Sequence, residues 1–245
     1  MVAKVTTFVL VHGSWHDGSA WTQVAGRLEE LGHTAYAPTL AGHGKDVDKA
    51  VGHDDCVQSV VRYIVDKDLS DVVLVGHSFG GTVIARVAEE IPELLRRLVF
   101  WNAFVLRQGG SVNDDIPPHY RELFARLAAE SDDDTVTLPF PIWRETFIQD
   151  ADLELAKSAY EQLSPEPYRP FLEKLDLSKF YQLEIAKSYL NATEDIALPP
   201  GEWGWHPRMS GRLGLYRLVQ MPGGHEVLFT DPERLAKKIV EAGRD

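Results

Sequence analysis

The β-branched run Val72-Val73-Leu74-Val75 passes directly into Gly76-His77-Ser78-Phe79-Gly80, after which Val83, Ile84 and Val87 recur at helical spacing. A buried strand, a glycine turn and a helix in that order make a strand-to-helix elbow, the local arrangement that most constrains how such a chain can fold. The pattern Gly-x-Ser-x-Gly alone carries little, since a chain of this size holds one by chance about one time in ten. Its placement carries the weight. A turn this sharp strains the backbone of its central residue and crowds the positions two away, where Gly76 and Gly80 lack side chains. Ser78 then stands at a helix start, whose free amides favour a developing anion. The competing reading is a glycine-rich turn with a capping serine.

The same alternation of short apolar runs and helical stripes continues along the chain. Strands are expected at 5–11, 34–37, 71–75, 98–101, 185–191 and 215–220. Between them, Trp21, Val24, Leu28 and Leu31 form one stripe, closed by Gly32, and Val57, Val60, Val61, Ile64 and Val65 form another. A third helix should run from about 79 to 91, and a closing helix should open at Asp231 with Pro232 at its first position. This is the pattern of an α/β protein with a mostly parallel central sheet and helices on both faces. The rhythm breaks at about 104–183, which is rich in proline and aromatics and shows helical periods, so a helical lid inserted into a single domain spanning 1–245 is expected. Its aromatics are expected to form a small core of their own, with a few facing the site: Tyr120, Phe124, Trp143 and Phe147 are the candidate walls of a substrate pocket.

Composition narrows the partners. At 245 residues one domain can bury roughly three quarters of its unfolded surface. Hydrophobic residues at 44% and charged residues at 25% fit a soluble globular protein. A net charge of −12 argues against nucleic acid and anionic membranes, leaving a small-molecule substrate as the expected partner, with a homodimer left open. The lone Cys56 permits no internal disulfide, and the first apolar run is too short for an export signal or a membrane span, so a cytoplasmic location is expected. Asp132 to Asp134 lacks the spacing of a calcium loop. His16, Asp17, His53, Asp54 and Asp55 match no ligand motif and read as surface polar residues, so neither metal nor cofactor is expected.

A serine hydroxyl needs a base within reach. Behind an elbow of this type the chain order is Ser, acid, His, and only His119, His206 and His225 follow Ser78. His225 alone follows a strand, through Gly223-Gly224, and so belongs at the sheet edge where the elbow lies. The acid should lie after the strand at 185–191, where Glu194 and Asp195 are adjacent and composition does not separate them. An oxyanion site needs two backbone amides. Phe79 supplies one, and Ser14, in the loop after the first strand, supplies the other, with Gly13 allowing close approach and His12 orienting the loop.

With these residues in place the chain resembles the α/β-hydrolase superfamily, and within it the branch of plant methyl esterases and hydroxynitrile lyases. The resemblance rests on Phe8-Val9-Leu10-Val11-His12-Gly13, Gly32-His33, Leu40-Ala41-Gly42-His43-Gly44, the elbow, Thr193 to Pro199, and Gly223-Gly224-His225. It implies that Asp195, two after Thr193 and four before Pro199, is the acid. The lyases of the branch carry Thr in place of Gly13 and Lys in place of Glu226; that Lys holds cyanide, which a glutamate would repel, while Gly13 leaves room for an ester carbonyl. The resemblance therefore implies a carboxylesterase working through an acyl-enzyme. Cofactor-free dioxygenases of the superfamily need only the His and Asp pair, and some relatives are small-molecule receptors, so both remain as alternatives.

Overall fold

The computed structural model describes residues 5–245. Strands β1 (Thr7–Val11), β2 (Thr34–Tyr36), β3 (Val72–His77), β4 (Leu95–Trp101), β7 (Ala186–Ala192) and β8 (Arg217–Met221) form one six-stranded sheet, in the order β2-β1-β3-β4-β7-β8. Every pairing is parallel, so the sheet is parallel throughout. The remaining two, β5 (Thr135–Val136) and β6 (Glu166–Pro167), make a separate antiparallel ladder inside the segment between β4 and β7.

Parallel strands covered on both faces should be apolar at every position, and β3 is buried from end to end. Side chains alternate between two cores. Phe8, Leu10, Val73 and Val75 point to the face covered by helix α1 (Thr22–Glu30) and the closing helix Pro232–Ala242. Val9, Val11, Val72 and Leu74 point to the other face, covered by α2 (His53–Asp66), α3 (Gly80–Glu90) and the inserted segment. Asp231 caps the closing helix by accepting from the Arg234 amide at 3.0 Å, with Pro232 following.

Several expectations need correction. Leu31 and Val65 are exposed rather than part of their stripes, because the buried faces are already filled by Trp21, Val24 and Leu28 and by Cys56, Val57, Val60 and Ile64. Leu215 is 95% exposed and precedes the last strand, which begins at Arg217. The aromatics of the insertion do not form a core of their own: Tyr120, Phe124, Trp143 and Phe147 belong to one continuous cluster with Leu74, Leu98 and Phe100 of the sheet. Nor is the insertion wholly helical, since it holds the β5–β6 ladder and a π-helical turn at Trp143–Phe147.

Candidate active site

The strand order reverses direction between β1 and β3: the chain steps outward from β1 to β2, then crosses back to β3 on β1's other side. Loops leaving two such strands diverge, and the crevice between them is where parallel α/β sheets bind ligands. The loop after β1 carries Gly13 and Ser14, and the turn after β3 carries Ser78. Ser78 has φ +51°, the left-handed strain of an elbow. The flanking glycines are forced by packing: a Cβ on Gly76 would lie 2.7 Å from the Gly80 carbonyl oxygen, and one on Gly80 would lie 2.7 Å from that of His12. The Ser78 carbonyl accepts from the amides of Gly81 and Phe104, both at 3.1 Å, tying the elbow to α3 and to the chain leaving β4.

His225 Nδ1 lies 2.6 Å from Asp195 Oδ2. That bond occupies Nδ1 and leaves Nε2 as the nitrogen able to take a proton from a hydroxyl, and Ser78 and His225 line the same cavity. Burial acts to lower the His225 pKa, but the Asp195 carboxylate, through its charge and hydrogen bond, and Glu226 raise it above the ordinary histidine value. The two carboxylates that composition left equal are separated by burial: the Asp195 side chain is fully buried, and Glu194 is exposed. Asn102, at the end of β4 with φ +35°, was not anticipated. Its Nδ2 donates to Asp195 Oδ2 at 2.6 Å, its Oδ1 accepts from the Ala192 amide at 2.6 Å, and the Ala197 amide donates to Asp195 Oδ1 at 2.8 Å. Its position at the carboxyl end of a central strand was the only available signal.

On the other side of Ser78, neither the Ser14 nor the Phe79 amide is spent on a protein acceptor among the described residues. His12 orients this loop: its Nε2 accepts from the Leu40 amide at 3.0 Å, so Nδ1, 2.8 Å from the Gly13 carbonyl, is the donor. Burial and neighbouring His43 keep the His12 pKa well below the ordinary range, so the ring is neutral. Gly13 lines the crevice with Ser14, Ser78 and His225. A Cβ there would lie 2.9 Å from that of Ser78, so the residue is small because the elbow packs on it.

The crevice continues into a narrow cavity. Tyr120, Phe124 and Phe147 line it, with Phe104, Phe171 and Trp205. Trp143 does not: fully buried, it lies behind Phe147, ring centroids 6.2 Å apart, and donates its indole N–H to the Ala156 carbonyl at 2.9 Å. Trp205, unmarked in the sequence, stacks on His225 at 5.3 Å with 13° between planes. Apart from Ser14, Ser78, Tyr120 and His225, every lining side chain is hydrocarbon or indole.

Two histidines assigned to the surface are buried. His16 Nε2 is 3.1 Å from Glu226 Oε2, so the carboxylate beside His225 already has a partner. His53 Nε2 is 2.8 Å from Thr82 Oγ1, and burial, with the nearby Arg86 charge, lowers its pKa to about 3. Asp17 accepts from the Ser19 amide and Asp55 from that of Gly52, both at 2.8 Å as helix caps. Among the described residues no group of three or more His, Cys, Asp or Glu is placed to hold a metal ion, and no helix is long and apolar enough to cross a membrane.

A parallel sheet with an elbow serine at its switch point, and a His–Asp pair on the loops of two later strands, defines an α/β-hydrolase fold. The family model of that name matches residues 8–238, and the chain belongs to the α/β hydrolase family. A carbendazim hydrolyzing esterase of Nocardioides sp. is 29% identical over 255 residues, covering 98% of this chain and all of that one. Salicylic acid-binding protein 2 of Nicotiana tabacum is 28% identical, covering 96% and 95%. An extracellular α/β-hydrolase from a Paenibacillus species, described as sharing structural and functional homology with the tobacco protein, superposes with a TM-score of 0.96 at 46% identity, covering 98% of this chain and 100% of that one.

Proposed function

We propose that the chain is a carboxylesterase that cleaves a small, largely apolar ester by acyl transfer to water. The observation that carries this reading is the 2.6 Å bond from His225 to buried Asp195 beside the strained elbow serine. His225 takes the Ser78 proton as the hydroxyl oxygen adds to the ester carbonyl, and the carbonyl π pair moves onto oxygen, facing the Ser14 and Phe79 amides. The tetrahedral species collapses, and the alcohol leaves with the proton from His225. Water then loses a proton to His225 as it attacks the acyl carbon, and the second tetrahedral species collapses with the acid departing and His225 returning that proton to the Ser78 oxygen. Asp195, held by Asn102 and the Ala197 amide, stabilises the imidazolium in both halves. The cavity supports an apolar acyl or alcohol group, since it presents few polar atoms away from the serine. The esterases among the relatives support the class of reaction.

Labelling with a fluorophosphonate, together with turnover of aryl and methyl esters under air and under nitrogen, tests this. Labelling should vanish in Ser78→Ala, and turnover should be equal with and without oxygen. Undiminished labelling of Ser78→Ala would remove the serine from its role, and turnover that stops under nitrogen would point to oxygen chemistry on the same His–Asp pair.

A further inference from the structure

The loop carrying the Ser14 amide bends at Trp15, which has φ +65°, a backbone region costly for any residue with a side chain. Something must hold it there, and the insertion does so at three points. The Trp15 amide donates to Glu166 Oε2 at 2.7 Å, its carbonyl accepts from the Ser164 amide at 2.8 Å, and its indole N–H donates to the Val136 carbonyl at 2.9 Å. Val136 and Glu166 are partners in the β5–β6 ladder, so the bonds come from one small unit.

Glu166 is fully buried, and a lone carboxylate there would be costly. His43 supplies the counter-charge. Its Nε2 lies 3.2 Å from Oε1 and 3.1 Å from Oε2 of Glu166, and its Nδ1 lies 2.9 Å from the Ala41 carbonyl. Both ring nitrogens thus face acceptors, which only a doubly protonated ring satisfies. Burial opposes that charge, but the Glu166 carboxylate, with the neighbouring Cys56 side chain, outweighs it and raises the His43 pKa to about 10. The same junction is closed by the Gly44 amide donating to Ser164 Oγ at 3.1 Å, and by Lys49 Nζ donating to the carbonyls of Gly42, Gly44 and Pro165. A neutral acceptor would satisfy the Trp15 amide without an ion pair. A buried pair gives a directional, charge-assisted bond that stiffens the residue next to the oxyanion donor.

We propose that Glu166, held by its ion pair with His43, is a positioning residue for the oxyanion site: it fixes Trp15 and hence the Ser14 amide, so the site is complete only when the β5–β6 unit is docked. The inference rests on the esterase reading of Ser78. Because the donor acts on the transition state, loss of its position should lower kcat and leave KM nearly unchanged.

Kinetics on an aryl ester for Glu166→Ala and Glu166→Gln, with melting temperatures of both, test this. Inhibition by an aryl trifluoromethyl ketone is measured alongside; Ser78 adds to this ketone to give an oxyanion, with the serine proton on His225. Glu166→Ala should lose 10- to 100-fold in kcat with KM within twofold, and the ketone should weaken by a similar factor. Glu166→Gln, which keeps an oxygen for the Trp15 amide but loses the ion pair with His43, should regain about half of that loss on a logarithmic scale and stay below wild type. If Glu166→Ala cannot be obtained folded, Glu166→Gln alone decides: a lowered kcat with parallel weakening of the ketone supports the role, and wild-type values for both overturn it. Equal loss in the two variants that follows only their melting temperatures, or an unchanged kcat in Glu166→Ala, also overturns it. Fluorophosphonate labelling of wild type at Ser78 separates the two claims. A labelled wild type with an indifferent Glu166→Ala overturns only the positioning role, whereas an unlabelled wild type overturns both.

Discussion

The carboxyl edge of the sheet and the insertion between β4 and β7 contribute to the same crevice in different ways. At the edge, each polar side chain stands in the turn or loop that leaves a strand: Ser78 after β3, Asn102 after β4, Asp195 after β7 and His225 after β8. The register of parallel strands places those ends together, with His77 opposite Trp101 and Ala192 opposite Met221. The insertion lies outside that sheet and is indexed only by the two-residue strands of the β5–β6 ladder. Its aromatics reach the cavity by packing, and Glu166, which holds Trp15, is paired with a residue far away in sequence, His43. The edge therefore presents reacting groups in fixed order, while the insertion sets the shape around them. Substitutions at the edge should act on turnover and those in the insertion on binding or stability, except at Glu166, whose bond to the Trp15 amide reaches the oxyanion site.

The largest effect expected is at the edge. Asp195→Asn leaves the bond geometry to His225 but presents the wrong hydrogen, and turnover should fall by about 10⁴. Glu194→Gln, at an exposed side chain, should keep wild-type kcat. The reverse ranking in steady-state kinetics would break the assignment of roles to burial. An intermediate effect is expected in the insertion. Phe124→Leu, on the cavity wall, should raise KM several-fold and change kcat by less than about twofold, as expected of a contact made equally in ground and transition states. Trp143→Phe should leave KM unchanged while lowering stability by about 1–3 kcal/mol, because the Ala156 carbonyl loses its buried donor. A KM change in Trp143→Phe equal to that in Phe124→Leu would show that the second layer also shapes the pocket.

The smallest effect is in pH dependence. His225 must be neutral to accept the serine proton, and its pKa is raised, so the acid limb of kcat/KM should fall above the unperturbed histidine value of about 6.5. Glu226 contributes to that rise, so Glu226→Gln should move the limb to lower pH, extending activity toward acid with the plateau little altered. Glu226 is the weakest of the groups that raise the His225 pKa, so the expected shift is small. A limb that moves upward would reverse the sign of this interaction.

Local periodicity made most of the fold legible. Apolar runs of period two and stripes of period 3.6 follow from which faces must be buried, and these placed the six sheet strands, the elbow and the loop carrying His225 to within a few residues. The glycine at 76 was legible for the same reason, since its constraint arises within its own turn, whereas Gly80 is also forced by the His12 carbonyl of the loop after β1. Trp143 misled because its type and spacing are those of its neighbour Phe147, and only packing decides which of two stacked rings faces the cavity. His16 and His53 misled because a histidine in a polar stretch looks solvated unless its distant partner, Glu226 or Thr82, is known.

By itself the sequence determined the parallel α/β architecture, the strained serine and the histidine behind the last strand, because each is written in a short window by chain geometry. Only the tertiary structure decided that Asp195 is buried and Glu194 is not, that Asn102 grips the acid, that Trp205 stacks on His225, and that Glu166 and His43 hold the turn at Trp15. Those contacts join residues about 20 to 150 positions apart. Their energy comes from excluding water around a particular pair, and no local pattern specifies which two residues will share that space.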